Sequence, residues 1–326
     1  MLLTTAPVMF FGGKGGVGKT TIAAATAVRL AAEGRRVLLV STDPAHNLGH
    51  IWSTPLSNTP TEVEPNLTII ELDPNTTTEQ HLGEVGASMR ALMPERLHGE
   101  IDTHLQLARR SPGMLEAAML ERIADIVSTS QLDDAPSHII FDTAPSGHTS
   151  RLLALPELMA AYTDGLLARR EAAEKFTRAA RNLDLGFGNG TDTDTDARSE
   201  RIARRDQHIR SLLYKRRRKF TALREVLTDP TACVFHIVLT AERLPVMESA
   251  ELYHDITNNG IRVAGLIVNR RSPDDGGSFT AARRNVENSA LQLLDDLLPH
   301  VAAIELPWLA GEIGTRDALG DIAARI

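Results

Sequence analysis

The chain has 326 residues, enough to bury a full α/β core, and its 42% hydrophobic and 24% charged residues exclude a disordered protein. A formal net charge of −7 argues against a nucleic-acid binder that works through bulk charge, and a lone cysteine, Cys233, excludes an intrachain disulfide framework or a four-cysteine metal site. No apolar run is long enough to cross a membrane and no basic-then-apolar leader opens the chain, so a cytoplasmic protein is expected.

Continuous runs of Val, Ile, Leu and Phe predict strands near Pro7–Gly12, Arg36–Ser41, Leu67–Leu72, His138–Asp142, Ala232–Thr240, Arg262–Asn269 and Val301–Leu306. The alanine-rich stretch Thr20–Glu33 predicts a helix that can lie close on a sheet. Such alternation predicts an α/β fold with a doubly wound, mostly parallel sheet. Two stretches, about Pro74 to Ser130 and Leu152 to Leu227, read as helical without a strand. The second is interrupted by the turn-forming, acidic Gly186–Asp196, after which Ile202, Ile209, Leu213, Phe220, Leu223 and Leu227 form an amphipathic stripe. The expected division is a nucleotide-binding domain of 1–75, 130–160 and 229–326, with a helical subdomain of 76–129 and 161–228 inserted in it.

The strongest motif runs Gly13-Lys14-Gly15-Gly16-Val17-Gly18-Lys19-Thr20-Thr21 between the first strand and the first helix. Its spacing is that of a Walker A phosphate loop. Glycines let backbone N–H groups close around phosphate oxygens, and the following helix points its positive end at the same anion. Gly13, Gly15, Gly16, Val17, Gly18, Lys19, Thr20 and Thr21 are therefore candidate ATP or ADP ligands. Lys19 is the candidate partner of the β- and γ-phosphates, and the Thr20 hydroxyl the candidate Mg²⁺ ligand. Lys14 makes the loop resemble the deviant Walker A group. That resemblance implies a homodimer with nucleotide at the interface, in which Lys14 reaches the phosphates of the partner subunit.

Two more loops follow buried strands: Ser41-Thr42-Asp43-Pro44-Ala45-His46-Asn47-Leu48 and Asp142-Thr143-Ala144-Pro145-Ser146-Gly147-His148-Thr149. In a doubly wound sheet both face the ligand crevice. Asp43-Pro44 alone would be an ordinary turn. Together with KGGVGKTT, these loops resemble the arsenite-pump ATPases (ArsA) and the ATPases that deliver tail-anchored membrane proteins, P-loop NTPases of the SIMIBI class. Weaker matches are Leu72–Pro74, Ala241–Pro245 and Val268–Arg270.

The resemblance implies ATP hydrolysis, with Asp43 positioning the attacking water in a first switch loop. Asp142 would hold Mg²⁺ through water, with Ala144–Thr149 as a second switch. Asn269 would read the adenine, Glu242 would contact the nucleoside, and the loop after Pro307 would close over the base. Arsenite needs thiolate ligands, and a single cysteine argues against the usual metalloid site. The zinc-binding Cys-x-x-Cys pair of the eukaryotic targeting members is absent after Asn269, so no zinc site is expected.

Targeting of a hydrophobic membrane-protein client, meeting the membrane through a receptor, is thus the first reading. The soluble motor of an arsenite or anion pump is the alternative, and a ParA- or MinD-like spatial organiser a distant third. Met89, Met93, Met114, Met119 and Met159, with Leu152, Leu153, Leu155, Leu158, Leu166 and Leu167, would line a client groove or equally fill an ordinary helix-bundle core. The basic run Lys215–Lys219 spreads around a helix and reads as a solvated face, so no nucleic-acid partner is expected.

Overall fold

In the computed structural model the described residues are 3–43, 47–93, 95–129, 135–144, scattered positions within 153–175, 193–274, 277–311 and 314–326. They form β1 (Val8–Gly12), α1 (Lys19–Ala32), β2 (Val37–Ser41), α2 (Asn47–Ile51), β3 (Thr61–Glu64), β4 (Leu67–Glu71) and α3 (Pro74–Leu92). There follow α4 (His98–Arg109), α5 (Met114–Thr129), β5 (His138–Asp142), α6 (Thr193–Thr228), β6 (Cys233–Thr240), α7 (Arg243–Asn258), β7 (Val263–Arg271), α8 (Ser278–Leu297), β8 (Ala303–Pro307) and α9 (Arg316–Ala323).

Eight strands make one sheet in the order β3-β4-β2-β5-β1-β6-β7-β8. All neighbours are parallel except β3 against β4. The chain winds outward from β1 in both directions, so the loops after β2, β5 and β1 emerge side by side at the carboxyl edge.

The pleat of β1 shows why this sheet must be covered on both faces. Val8 and Phe10 belong to one core cluster, with Ile123 of α5, Phe220 of α6 and Val246 of α7. Met9 and Phe11 belong to the other, with Ile22 of α1 and Ile322 of α9. Phe10 stacks on Phe141 at 4.6 Å and lies 6.3 Å from Phe235, so three neighbouring strands share one aromatic layer. Burying each such ring stabilises the fold by about 2–3 kcal/mol. On the opposite face Ala23, Ala24, Ala25 and Ala27 of α1 are fully buried, and their small side chains let the helix sit close to the strands.

The seven predicted strands are present, and β3 is an addition. A Pro65-Asn66 turn, with Asn66 at φ 66°, folds β3 back antiparallel on β4. Its alternating Thr-Glu-Val-Glu is short and charged, which protects the sheet edge from further pairing. Glu64 anchors it by pairing with Arg316 and accepting a 2.7 Å bond from the Trp52 indole. A second difference is that Thr193–Asp196, expected to be part of a turn, begin α6. Thr and Asp favour helix starts as well as turns, and here the helix extends. Residues 186–192 of that turn lie outside the described residues.

Helices α3, α4 and α5 form a layer beside the sheet, and α6 joins it through charge. Glu121 of α5 accepts from Arg216 at 2.7 Å and from Lys219 at 3.4 Å, and lies 3.2 Å from His81 of α3. Arg217 pairs with Asp164 at 2.8 Å. Three of the five residues of the basic run are therefore committed to helix packing. Of the apolar stripe on α6, Phe220, Leu223 and Leu227 are buried and Ile209 and Leu213 half-buried, while Leu212 and Tyr214, outside the stripe, are exposed.

Candidate functional site

The loop after β1 is shaped by contacts that no side chain could occupy. At Gly13, with φ 148°, an added Cβ would lie 2.1 Å from the Val238 carbonyl oxygen. At Gly18, with φ 100°, it would lie 2.4 Å from the Asn269 amide nitrogen. Gly15 and Gly16 instead face open space, as a cradle for a ligand requires. Lys19 begins α1 beneath this cradle, and its Nζ donates to the Lys14 carbonyl at 3.0 Å. Burial lowers its pKa, while the carboxylates of Asp142 and Asp43 act in the opposite sense. The two acids and the lysine therefore share one electrostatic site.

Asp142 ends β5 with no exposed surface. The Ser41 hydroxyl donates to its Oδ2 at 3.3 Å, and the Thr20 hydroxyl is also hydrogen-bonded to its carboxylate. Oδ1 is buried without a hydrogen-bond partner among the described residues. Burial pushes the Asp142 pKa up to about 7, against the pull of Thr20 and Lys19. An oriented hydroxyl beside a carboxylate with a spare buried oxygen is the donor set a hydrated hard cation takes, so Mg²⁺ fits these residues.

The loops after β2 and β5 are sewn together. Thr42 N donates to the Asp142 carbonyl at 2.9 Å, and Ala144 N to the Thr42 hydroxyl at 3.4 Å. Asp43, half-buried, donates its own N–H to the Ser41 hydroxyl at 3.3 Å. Glu71, the last residue of β4, accepts from Leu48 N at 2.9 Å and Gly49 N at 3.3 Å, tying the start of α2 to the sheet. Residues 44–46 and 145–150, which carry most of both expected switches, lie outside the described residues.

A pocket opens beside α1 where β7 and β8 end, and its walls include Thr21, Asn269, Arg270, Pro307, Leu309 and Ile322. Asn269 and Pro307, two of the residues expected at the base, both line it. The Asn269 side chain is already engaged: Nδ2 donates to the Val17 carbonyl at 2.9 Å, and Oδ1 accepts from Arg270 N at 3.0 Å. Arg270 follows at φ 60°, a left-handed conformation that costs a side-chain-bearing residue about 1–2 kcal/mol.

Beneath it Arg271 is 3% exposed and spends its fork on three partners. These are Glu305 at 2.6 Å, Glu287 at 2.7 Å and Asn288 at 2.7 Å, while its carbonyl accepts from Trp308 N at 2.8 Å. Glu242, just before α7, is not among that pocket's walls and is paired with Arg283 of α8. Lys14 is likewise engaged, 2.8 Å from Glu248 of α7.

Sequence reasoning missed Glu71, Glu248 and Arg271. Glu71 had a signal: a carboxylate closing the otherwise apolar strand LTIIE needs a partner when buried. Arg271 had the same signal at the end of β7. Glu248 had none, since it pairs 234 residues away. Cys233 is fully buried, and burial pushes its pKa up to about 12, so its thiol is inert.

The chain is similar in sequence to known ATPases. The putative arsenical pump-driving ATPase 2 of Aquifex aeolicus is 29% identical over 309 residues, 94% of each chain. The ATPase asna-1 of Caenorhabditis elegans is 29% identical over 333 residues, 98% of this chain and 92% of its own. An arsenical pump-driving ATPase of Acidiphilium multivorum is 39% identical over 166 residues, which are 50% of this chain but 28% of that longer protein. The family model described as anion-transporting ATPase (ArsA ATPase) matches residues 6–326, and on that match the chain belongs to this family and is an ATP-hydrolysing enzyme.

Proposed function

We propose that this ATPase binds and hydrolyses ATP at a homodimer interface and uses the resulting shape change to deliver hydrophobic membrane-protein segments. The observation that carries the catalytic half is the meeting of Lys19, Asp142 and Asp43 at the ends of three neighbouring strands. Backbone amides of Gly15, Gly16, Val17 and Gly18 cradle the phosphates, and Lys19 neutralises them. Thr20 and Asp142 hold Mg²⁺, which neutralises charge on the phosphates when bound. Asp43 accepts a hydrogen bond from the attacking water and orients it, and Lys14 adds a cation from the partner subunit. Asn269, Glu242 and the loop after Pro307 enclose the nucleoside, which requires Asn269 to exchange a present partner for the base.

Delivery of a client is favoured over metalloid transport by the fate of Cys233. Arsenite binding needs accessible thiolates, and the chain's one cysteine is buried and protonated. Pump driving is kept as the second reading because relatives bear that name. In the division proposed here, residues 76–129 and 161–228 form the client-facing helical subdomain. Leu107 and Leu115 expose apolar surface there, whereas Met119 belongs to the core. Among the described residues no helix is long and apolar enough to cross a membrane, and we place the protein in the cytoplasm, reaching the membrane through a receptor.

The deciding experiment measures ATP turnover with trivalent arsenic and with a detergent-solubilised tail-anchored peptide. Co-purification of the peptide, released on hydrolysis, is the expected result. Stimulation by arsenic without peptide capture would replace this reading with the pump.

A further inference from the structure

Lys14 is held at both ends within its own subunit. Its carbonyl accepts from Lys19 Nζ at 3.0 Å, and its Nζ lies 2.8 Å from Glu248 Oε1. A lysine so tied cannot at the same time reach another subunit. Glu248 sits on α7 three and four residues beyond Pro245 and Leu244, and Leu244 and Met247 are exposed beside it. The opposite side of the helix, with Val246, Ser249 and Ala250, is buried against the sheet. The Lys14–Glu248 pair therefore lies at the edge of an open, partly apolar helix face. The other carboxylate oxygen, Oε2, is buried with no hydrogen-bond partner among the described residues, so Lys14 is the one described charge that Glu248 is bonded to.

We propose that Glu248 is a positioning residue for Lys14, holding it in its own subunit until a phosphate across the dimer interface displaces the carboxylate. This rests on the reading that Lys14 acts in trans. The two side chains are 37% and 33% exposed, so solvent screens the pair and its hold is weak. A nucleotide phosphate, carrying more charge than one carboxylate, is the stronger partner. The pair thus biases the free subunit away from closure without preventing it, and ties closure to the presence of a triphosphate.

The test is ATP turnover as a function of protein concentration at saturating Mg·ATP, for the wild-type chain, Glu248→Gln, Lys14→Ala and the double variant. Glutamine keeps the shape of the side chain, and matched thermal melts verify that each variant is folded. Glu248→Gln is expected to lower the concentration of half-maximal specific turnover by about threefold to fivefold, the range of a screened ion pair. In the Lys14→Ala background the same substitution is expected to change nothing. An unchanged or raised midpoint, or an equal shift without Lys14, overturns the role of Glu248. A Lys14→Ala protein with wild-type turnover at every concentration instead overturns the trans reading of Lys14, and this inference with it.

Discussion

Asp142 ends β5 and Asp43 lies two residues past the end of the adjoining β2, yet their surroundings differ, and the proposed division of their work follows that difference. Asp142 has no exposed surface, and burial pushes its pKa up to about 7, so it needs a cation or a proton beside it. Asp43 is only half-buried and borders the open cradle, where water reaches it. One acid suits metal holding and the other suits orienting a nucleophile. Asp43→Asn is accordingly expected to lower turnover by about a hundredfold or more while ATP affinity stays within a few-fold. Steady-state hydrolysis and nucleotide titration check both halves; equal turnover removes Asp43 from the chemistry. Asp142 was legible from sequence because it closes an apolar strand, whereas Asp43, two residues past β2, stood out only together with the companion loops, since Asp-Pro alone is an ordinary turn. Glu248 was not legible, since no local pattern announces a partner met through tertiary folding.

At the scale of elements, the end of β7 joins three structures that the sequence treats as separate. Arg271 bonds α8 through Glu287 and Asn288, β8 through Glu305, and the loop after β8 through Trp308 N. Ser272 adds its hydroxyl to Glu287 at 2.6 Å. Both walls of the proposed base pocket, Asn269-Arg270 and Pro307, hang on this one fork. Removing the charge would strand the buried Glu287 carboxylate, at a cost of about 3–5 kcal/mol.

Arg271→Lys keeps the charge and loses the fork geometry. It is expected to raise KM for ATP about tenfold, a loss of about 1.4 kcal/mol, with kcat nearly kept and with weaker preference for ATP over GTP. Kinetics with both nucleotides decide: an unchanged KM and preference would separate the fork from base recognition. The strands themselves were readable from sequence because runs buried on both faces leave little ambiguity. The extra strand β3 was not, because its polar alternation is that of an edge and depends on the turn at Asn66.

For the whole molecule, two buried groups give the stability opposite responses to acid. His236 lies in β6, next to the central strand, 1% exposed and stacked on Phe11 at 5.1 Å. Its Nε2–H donates to the Thr4 carbonyl at 2.9 Å, and Nδ1 has no partner among the described residues. Burial holds its pKa down at about 4, so the folded chain keeps it neutral while the unfolded chain protonates it near 6.5. Its contribution is therefore complete above pH 6.5 and is lost as pH falls toward 4, by about 2 kcal/mol at pH 5.

Asp142 works the other way. Its folded pKa of about 7 lies above the usual 3.8, so the folded state gains stability as pH falls through 7. The gain by pH 5 is about 3 kcal/mol, which nearly cancels the loss from His236. Nucleotide-free wild-type protein should thus show little change from these two groups between pH 8 and 5. His236→Gln, which can keep the bond to Thr4 but cannot take up a proton, should lose the cancellation. In urea melts the stability difference, wild type minus variant, is expected to fall by about 2 kcal/mol from pH 8 to pH 5. A difference that stays level across that range would mean that His236 is not held neutral in the folded core. One that grows in favour of the wild type would mean that the histidine gains a charge partner on folding.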